Sequence, residues 1–151
     1  MTQEEKSLLL QDLSARLPYG VKVLNMAEGV NELCELDSIM TSRKHKDNIF
    51  VSLTLLDDSV MTGIEMVKPY LRPMSSMTEE EKEELKEIGS EYLEKWENAQ
   101  DSIDKWRLDA EVSCKRSEFY NSHLLDWHGL IPKGLAIEAP KDIYDSNSKV
   151  D

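Results

Sequence analysis

The chain has 151 residues, 40% hydrophobic and 32% charged, with a net charge of −12, the size of one domain with enough apolar content for a core. Residues 75–128 hold 15 acidic and 7 basic side chains, against 11 and 8 over residues 1–74. That acidity argues against direct nucleic-acid binding and suits docking on another protein with a basic surface.

Thr2 and Glu5 form a capping-box pattern ahead of a first helix over residues 2–17, with Leu9, Leu10, Leu13 and Leu17 as its apolar stripe. Pro18 ends it and Tyr19-Gly20 turns the chain. From Val21 to Val67 the period becomes two. Strands are expected over residues 21–26 (VKVLNM), 31–40 (NELCELDSIM), 48–56 (NIFVSLTLL, the most apolar, read as central) and 60–66, with turns at Glu28-Gly29 and Asp57-Asp58. Residues 64–67 read as one helical turn and 68–72 as a short edge strand bracketed by Pro69 and Pro73. Consecutive short strands indicate an antiparallel meander. This order of elements is that of an SH3-like small barrel, and a plain open sheet backed by helices fits it as well. Residues 41–47 (TSRKHKD) are the one basic run and read as a solvated hairpin loop.

Residues 77–116 are helical in pattern, opened by a second capping box, Thr78 with Glu81. Leu85, Ile88, Tyr92, Trp96, Ala99, Ile103, Trp106, Ala110 and Cys114 recur on one face and form a seam that needs cover. Unbroken, the helix would run about 57 Å, longer than the roughly 40 Å diameter of a compact chain of this size. Two helices meeting near residues 98–102, capped by Asp101 or Ser102, are therefore expected. A helix continuous past 102 implies a homodimer through its distal part; a fold-back implies a monomer whose hairpin buries its own seam. Trp96 and Trp106 are expected to be mostly buried, within the chain or across a dimer. Phe119 lies off the seam, so the register changes beyond residue 116. Gly129 reads as a helix-ending residue, followed by an apolar segment over residues 130–140 that docks on the body, an anchor at Ile143 and Tyr144, and a frayed tail from 146 to 151.

Signals for catalysis are weak. His123 and His128 are five residues apart, off the i, i+4 spacing of helical zinc ligands, and Asp126 adds at most one partner to His123. No cofactor or metal site is expected. Cys34 and Cys114 lack framework spacing and read as buried, reduced thiols, the pattern of a cytoplasmic protein. The acidic N-terminus has too short an apolar run for a signal segment, and no stretch approaches the roughly 20 apolar residues of a membrane span.

Three blocks, SARLPYGV (residues 14–21), KPYLRPMSSMTEEE (68–81) and GLIPKGLAIEAP (129–140), are similar to a family of small acidic proteins encoded by anaerobic gut bacteria, their phages and other mobile elements. The resemblance implies a single evolutionary unit that includes the C-terminal segment, and a phage or mobile-element setting. It implies no activity and no site residue.

The sequence thus reads as an α+β protein. Residues 1–74 form an N-terminal helix with a small antiparallel sheet of four to five strands or an SH3-like barrel. Residues 75–145 form long acidic helices and a docked C-terminal segment. The leading function is a non-enzymatic interaction protein, with Trp96, Trp106, Glu80, Glu84, Glu87, Glu91 and Glu94 as candidate contact residues. The first alternative is an acidic nucleic-acid mimic that occupies a basic host protein; the second is a small hydrolase-like enzyme using His123 and Asp126 or a cysteine.

Overall fold

The structure is a computed structural model and describes residues 1–45 and 47–144. Helix α1 (Gln3–Arg16) starts at the Thr2 cap, whose hydroxyl accepts from Glu5 N while the Glu5 carboxylate accepts from Thr2 N. Its buried face is Leu9, Asp12, Leu13 and Arg16, one stripe at helical spacing. Gly20, at φ 68°, makes the left-handed step into β1 (Lys22–Asn25). The meander continues through β2 (Glu32–Thr41), β3 (Ile49–Leu55) and β4 (Asp58–Gly63), each antiparallel to its predecessor. A 3₁₀ turn, Ile64–Met66, then leads to β5 (Val67–Leu71), which returns to pair antiparallel with β1.

With the short β6 (Ile137–Glu138) parallel to β5, the sheet order is β4-β3-β2-β1-β5-β6. Its inner face buries Val21, Val23, Cys34, Leu36, Ile49, Val51, Leu53, Val67 and Leu71 against Leu9 and Leu13 of α1 and Leu124, Leu130 and Leu135 of the C-terminal segment. The fold is α+β, as the change of period indicates.

Several local expectations are corrected. β3 is next to the edge, and β1 and β2 lie further inside. The hairpin turns on Leu56 and Asp57, with Leu56 at φ 56°, and Asp58 already pairs with Leu55. β5 is not an edge: it lies between β1 and β6. Pro69 is tolerated because it pairs only with Val23 of β1, β6 reaching no further than Tyr70 and Leu71. The expected frayed tail from 146 lies outside the described residues.

The long helical stretch folds back. Helix α2 (Glu79–Asn98) ends at Ala99, which is extended, and α3 (Ser102–Ser122) begins at Asp101, whose carboxylate accepts from Asp104 N at 2.8 Å. The seam does not survive this reversal. Leu108, Val112 and Phe119, not Ile103, Trp106, Ala110 and Cys114, are the inward stripe of α3, and Cys114 is exposed. A three-residue break lets α3 rotate about its axis, so a phase counted through it carries no information. Helix α3 ends at His123, followed by Leu124 at φ 56°, six residues before the Gly129 stop read from sequence. The segment beyond does dock: Leu130, Leu135 and Ala136 are buried, and Tyr144 Oη donates to Tyr70 O at 2.6 Å.

Candidate functional site

The described residues offer three places where chemistry or recognition could reside. The first is the α2–α3 hairpin. Its root is fixed by Arg72, at the end of β5. The guanidinium donates to both Glu81 carboxylate oxygens (2.8 and 2.7 Å), to Ser76 O (3.1 Å) and to His123 O (3.3 Å). Glu81 also accepts from Thr78 N at 2.9 Å, completing the capping box. One guanidinium, bidentate to Glu81 and bonded to His123 O, therefore joins the sheet, the start of α2 and the end of α3. Arg72 and the Thr78 cap hold the Glu81 carboxyl at about 2 against an ordinary 4.5, despite the opposing effect of burial.

Beyond the root, the hairpin packs on itself. Ile88 and Tyr92 of α2 face Leu108 and Val112 of α3, and the Tyr92 hydroxyl donates to Asp109. No described residue from 82 to 111 is buried. Near the reversal, each helix carries an exposed apolar pair one turn apart. Leu93 and Trp96 on α2 are 57% and 37% exposed; Ile103 and Trp106 on α3 are 66% and 73% exposed. The Lys105 ammonium lies 4.4 Å from the centre of the Trp96 ring, a cation–π contact that leaves Trp106 uncovered. Trp96 and Trp106 are thus not buried within the chain. Among the described residues α2 packs chiefly on α3, so a hairpin two helices wide leaves its back uncovered there.

Around these apolar groups the hairpin is acidic, with 14 carboxylates and 7 cationic side chains over residues 79–122. Glu80, Glu84, Glu87, Glu91 and Glu94 are all exposed and form one stripe along α2. Of these, Glu91 pairs with Lys95 at 3.3 Å and Glu84 lies 3.9 Å from His123 Nε2.

The second place is a buried ionic cluster that the sequence reading missed. Arg16 and Asp12, both fully buried, form a bidentate pair at 2.8 and 2.9 Å; Arg16 also donates to Leu125 O at 2.7 Å, and His128 Nδ1 donates to Asp12 Oδ1 at 2.8 Å. The signal was available, because Asp12 and Arg16 fall on the same helical stripe as Leu9 and Leu13. A carboxylate holding an imidazole in this way is the supporting half of an acid–base dyad. Here the ring packs on Trp127 (3.8 Å between centres), and no hydroxyl or thiol among the described residues is hydrogen-bonded to it. The cluster ties the C-terminal segment to α1.

The third is the proposed enzyme pair. Asp126 is buried and accepts from Leu130 N (2.7 Å) and Ile131 N (2.9 Å), one bond to each oxygen. It fixes a turn and does not meet His123, whose Nδ1 donates to Phe119 O at 2.9 Å while Nε2 faces Glu81 and Glu84. Cys34 is buried and its thiol is pushed upward by burial and then by Glu32, the opposite of an activated nucleophile. The open cleft between the start of α2 and residues 138–144 is lined by Arg72, Thr78, Glu81, Glu138, Lys141 and Tyr144, and holds none of the proposed catalytic groups.

Among the described residues no three His, Cys, Asp or Glu side chains converge as a metal site requires, and no helix is long and apolar enough to cross a membrane. No protein-family model, curated protein or solved structure matches the chain.

Proposed function

We propose that the chain is a non-enzymatic interaction protein whose α2–α3 hairpin docks on another protein. The observation that carries this reading is the pairing of Leu93 and Trp96 with Ile103 and Trp106, exposed at the end of a hairpin that buries nothing there. Aromatic side chains dominate binding energy at interfaces. A net charge of −7 over residues 79–122 selects the partner's chemistry: an apolar cleft rimmed by Lys and Arg. The Arg72–Glu81 pair anchors the root of the hairpin to the sheet. The test is quantitative capture by the wild type and by a Trp96→Ala/Trp106→Ala variant, followed by affinity measurement with the captured protein once purified. Loss of affinity in the variant supports the reading; equal affinity removes the hairpin tip from it.

A second reading, the acidic mimic, is favoured by the glutamate stripe. Alternating steps of four and three residues space Glu80, Glu84, Glu87, Glu91 and Glu94 about 5 Å apart along the helix, a regular row at about two-thirds of the charge density of a DNA strand, which carries one charge per roughly 3.4 Å. It requires the partner's basic surface to bind nucleic acid, and nucleic acid then competes with the hairpin. The resemblance of the three sequence blocks supports a phage or mobile-element origin, which the neighbouring genes test. A cytoplasmic location is part of the same proposal, supported by the two free thiols.

A further inference from the structure

The two edges of the sheet are treated differently. At one end β6 has two residues and is followed by Pro140 and Lys141, the usual means of blunting an edge. At the other end β4 is six residues long, and its centre, Ser59-Val60-Met61-Thr62, has no charge, no proline and no bulge. The two-residue turn makes Leu55 and Asp58 a hydrogen-bonded pair, so the alternation of an antiparallel ladder directs the N–H and C=O of Ser59, Met61 and Gly63 away from β3. Within the described residues these groups accept or donate no bond outside the ladder.

The side chains also stop short. Val60 stands opposite the fully buried Leu53, on the core-facing side, yet is 39% exposed; Met61, on the outer side opposite Ser52, is 61% exposed. Among the described residues the apolar layer ends at β4 without a neighbour to finish it.

We infer that the β4 edge is a second binding site, which takes an extended segment of a partner protein as an added antiparallel strand, apolar at its centre and flanked by Lys or Arg. Charge decides the flanks. Asp57 and Asp58 mark one end of β4, and at the other the Glu65 carboxylate lies over Gly63, within 3 Å of where a Cβ would stand. Charge also decides against a second copy. Antiparallel pairing of β4 with itself through the outward groups sets Met61 opposite its own counterpart and brings the Asp57-Asp58 end of each copy beside the Glu65 end of the other, like charges at both ends. Main-chain bonds supply affinity in such strand addition, and the alternate side chains supply selection. The site stands apart from the hairpin and does not depend on the hairpin reading.

The test uses the full chain and a fluorescent synthetic peptide of alternating threonine and valine between terminal lysines, read by anisotropy. The expected result is saturable binding that falls about tenfold or more when the peptide amides facing β4 are N-methylated, since two lost main-chain bonds cost on that order. Glutamate in place of the terminal lysines should weaken it as well. Met61→Pro removes an outward N–H without touching the β3 ladder and should lose binding at unchanged circular dichroism. If that variant fails to fold, Met61→Lys tests the same edge by charge. Trp96→Ala/Trp106→Ala should bind the peptide as the wild type does. Three results would overturn the inference: no saturable binding, equal binding of the N-methylated peptide, or a dimer in sedimentation that Met61→Pro dissolves.

Discussion

Replacing Glu81 by Gln should expose the Arg72–Glu81 clasp as a pH-dependent contribution to stability. Glutamine at this position still serves the capping box, so the change removes chiefly the charge on the Arg72 fork. The folded chain holds the Glu81 carboxyl at about 2 against 4.5 when free. That difference corresponds to about 3 kcal/mol, reduced to roughly 2 kcal/mol by solvent at the partly exposed guanidinium. Because the folded value is depressed, the contribution is fully present above pH 4.5 and is lost as pH falls through the range down to 2. Urea unfolding of wild type and variant at matched pH isolates it from the other carboxylates. The stability gap should be about 2 kcal/mol at pH 7, narrow below pH 4.5 and close near pH 2. A gap that is absent at pH 7, or that stays constant to pH 2, would refute the argument.

Asp12→Ala strands the fully buried Arg16 without its counter-charge and should cost roughly 3–5 kcal/mol in chemical denaturation, most of it regained in Asp12→Ala/Arg16→Met. Trp106→Ala should change stability by less than about 0.5 kcal/mol, because the side chain is already in water; a fall of several kcal/mol would mean that it is covered in solution. Replacing Glu80, Glu84, Glu87, Glu91 and Glu94 by Lys should leave the circular dichroism spectrum unchanged and abolish partner capture. Wild-type capture should weaken about tenfold or more between roughly 0.05 and 0.3 M salt, and salt-independent capture would leave the glutamates as a solvated face only.

The elements were legible where local chemistry specifies them. Both capping boxes, the period-two stretch with Cys34, Leu36, Ile49, Val51 and Leu53 turned inward, and the helical turn at Ile64 are all statements about near neighbours in sequence. What was not legible depends on how the elements meet. The wheel that joined Trp96 to Trp106 assumed one continuous phase, and the break at Ala99–Asp101 removed that assumption. Nothing local indicated that Arg72 would reach Glu81 and His123 O, or that His128 would sit on Asp12, contacts spanning 9 to 116 residues. The candidate site was half visible: its residue types and acidity lie in the sequence, while its exposure follows from a hairpin that no third layer covers among the described residues.

The central claim is that the exposed pairs at the hairpin end carry partner binding. The most direct measurement is the affinity of the purified partner for wild type and for Trp96→Ala/Ile103→Ala/Trp106→Ala, with unfolding curves confirming equal stability. The account predicts a loss of at least about 100-fold, since interface residues of this kind contribute roughly 2 kcal/mol or more when buried at a contact. Affinities within about threefold, with the variant fully folded, would contradict it.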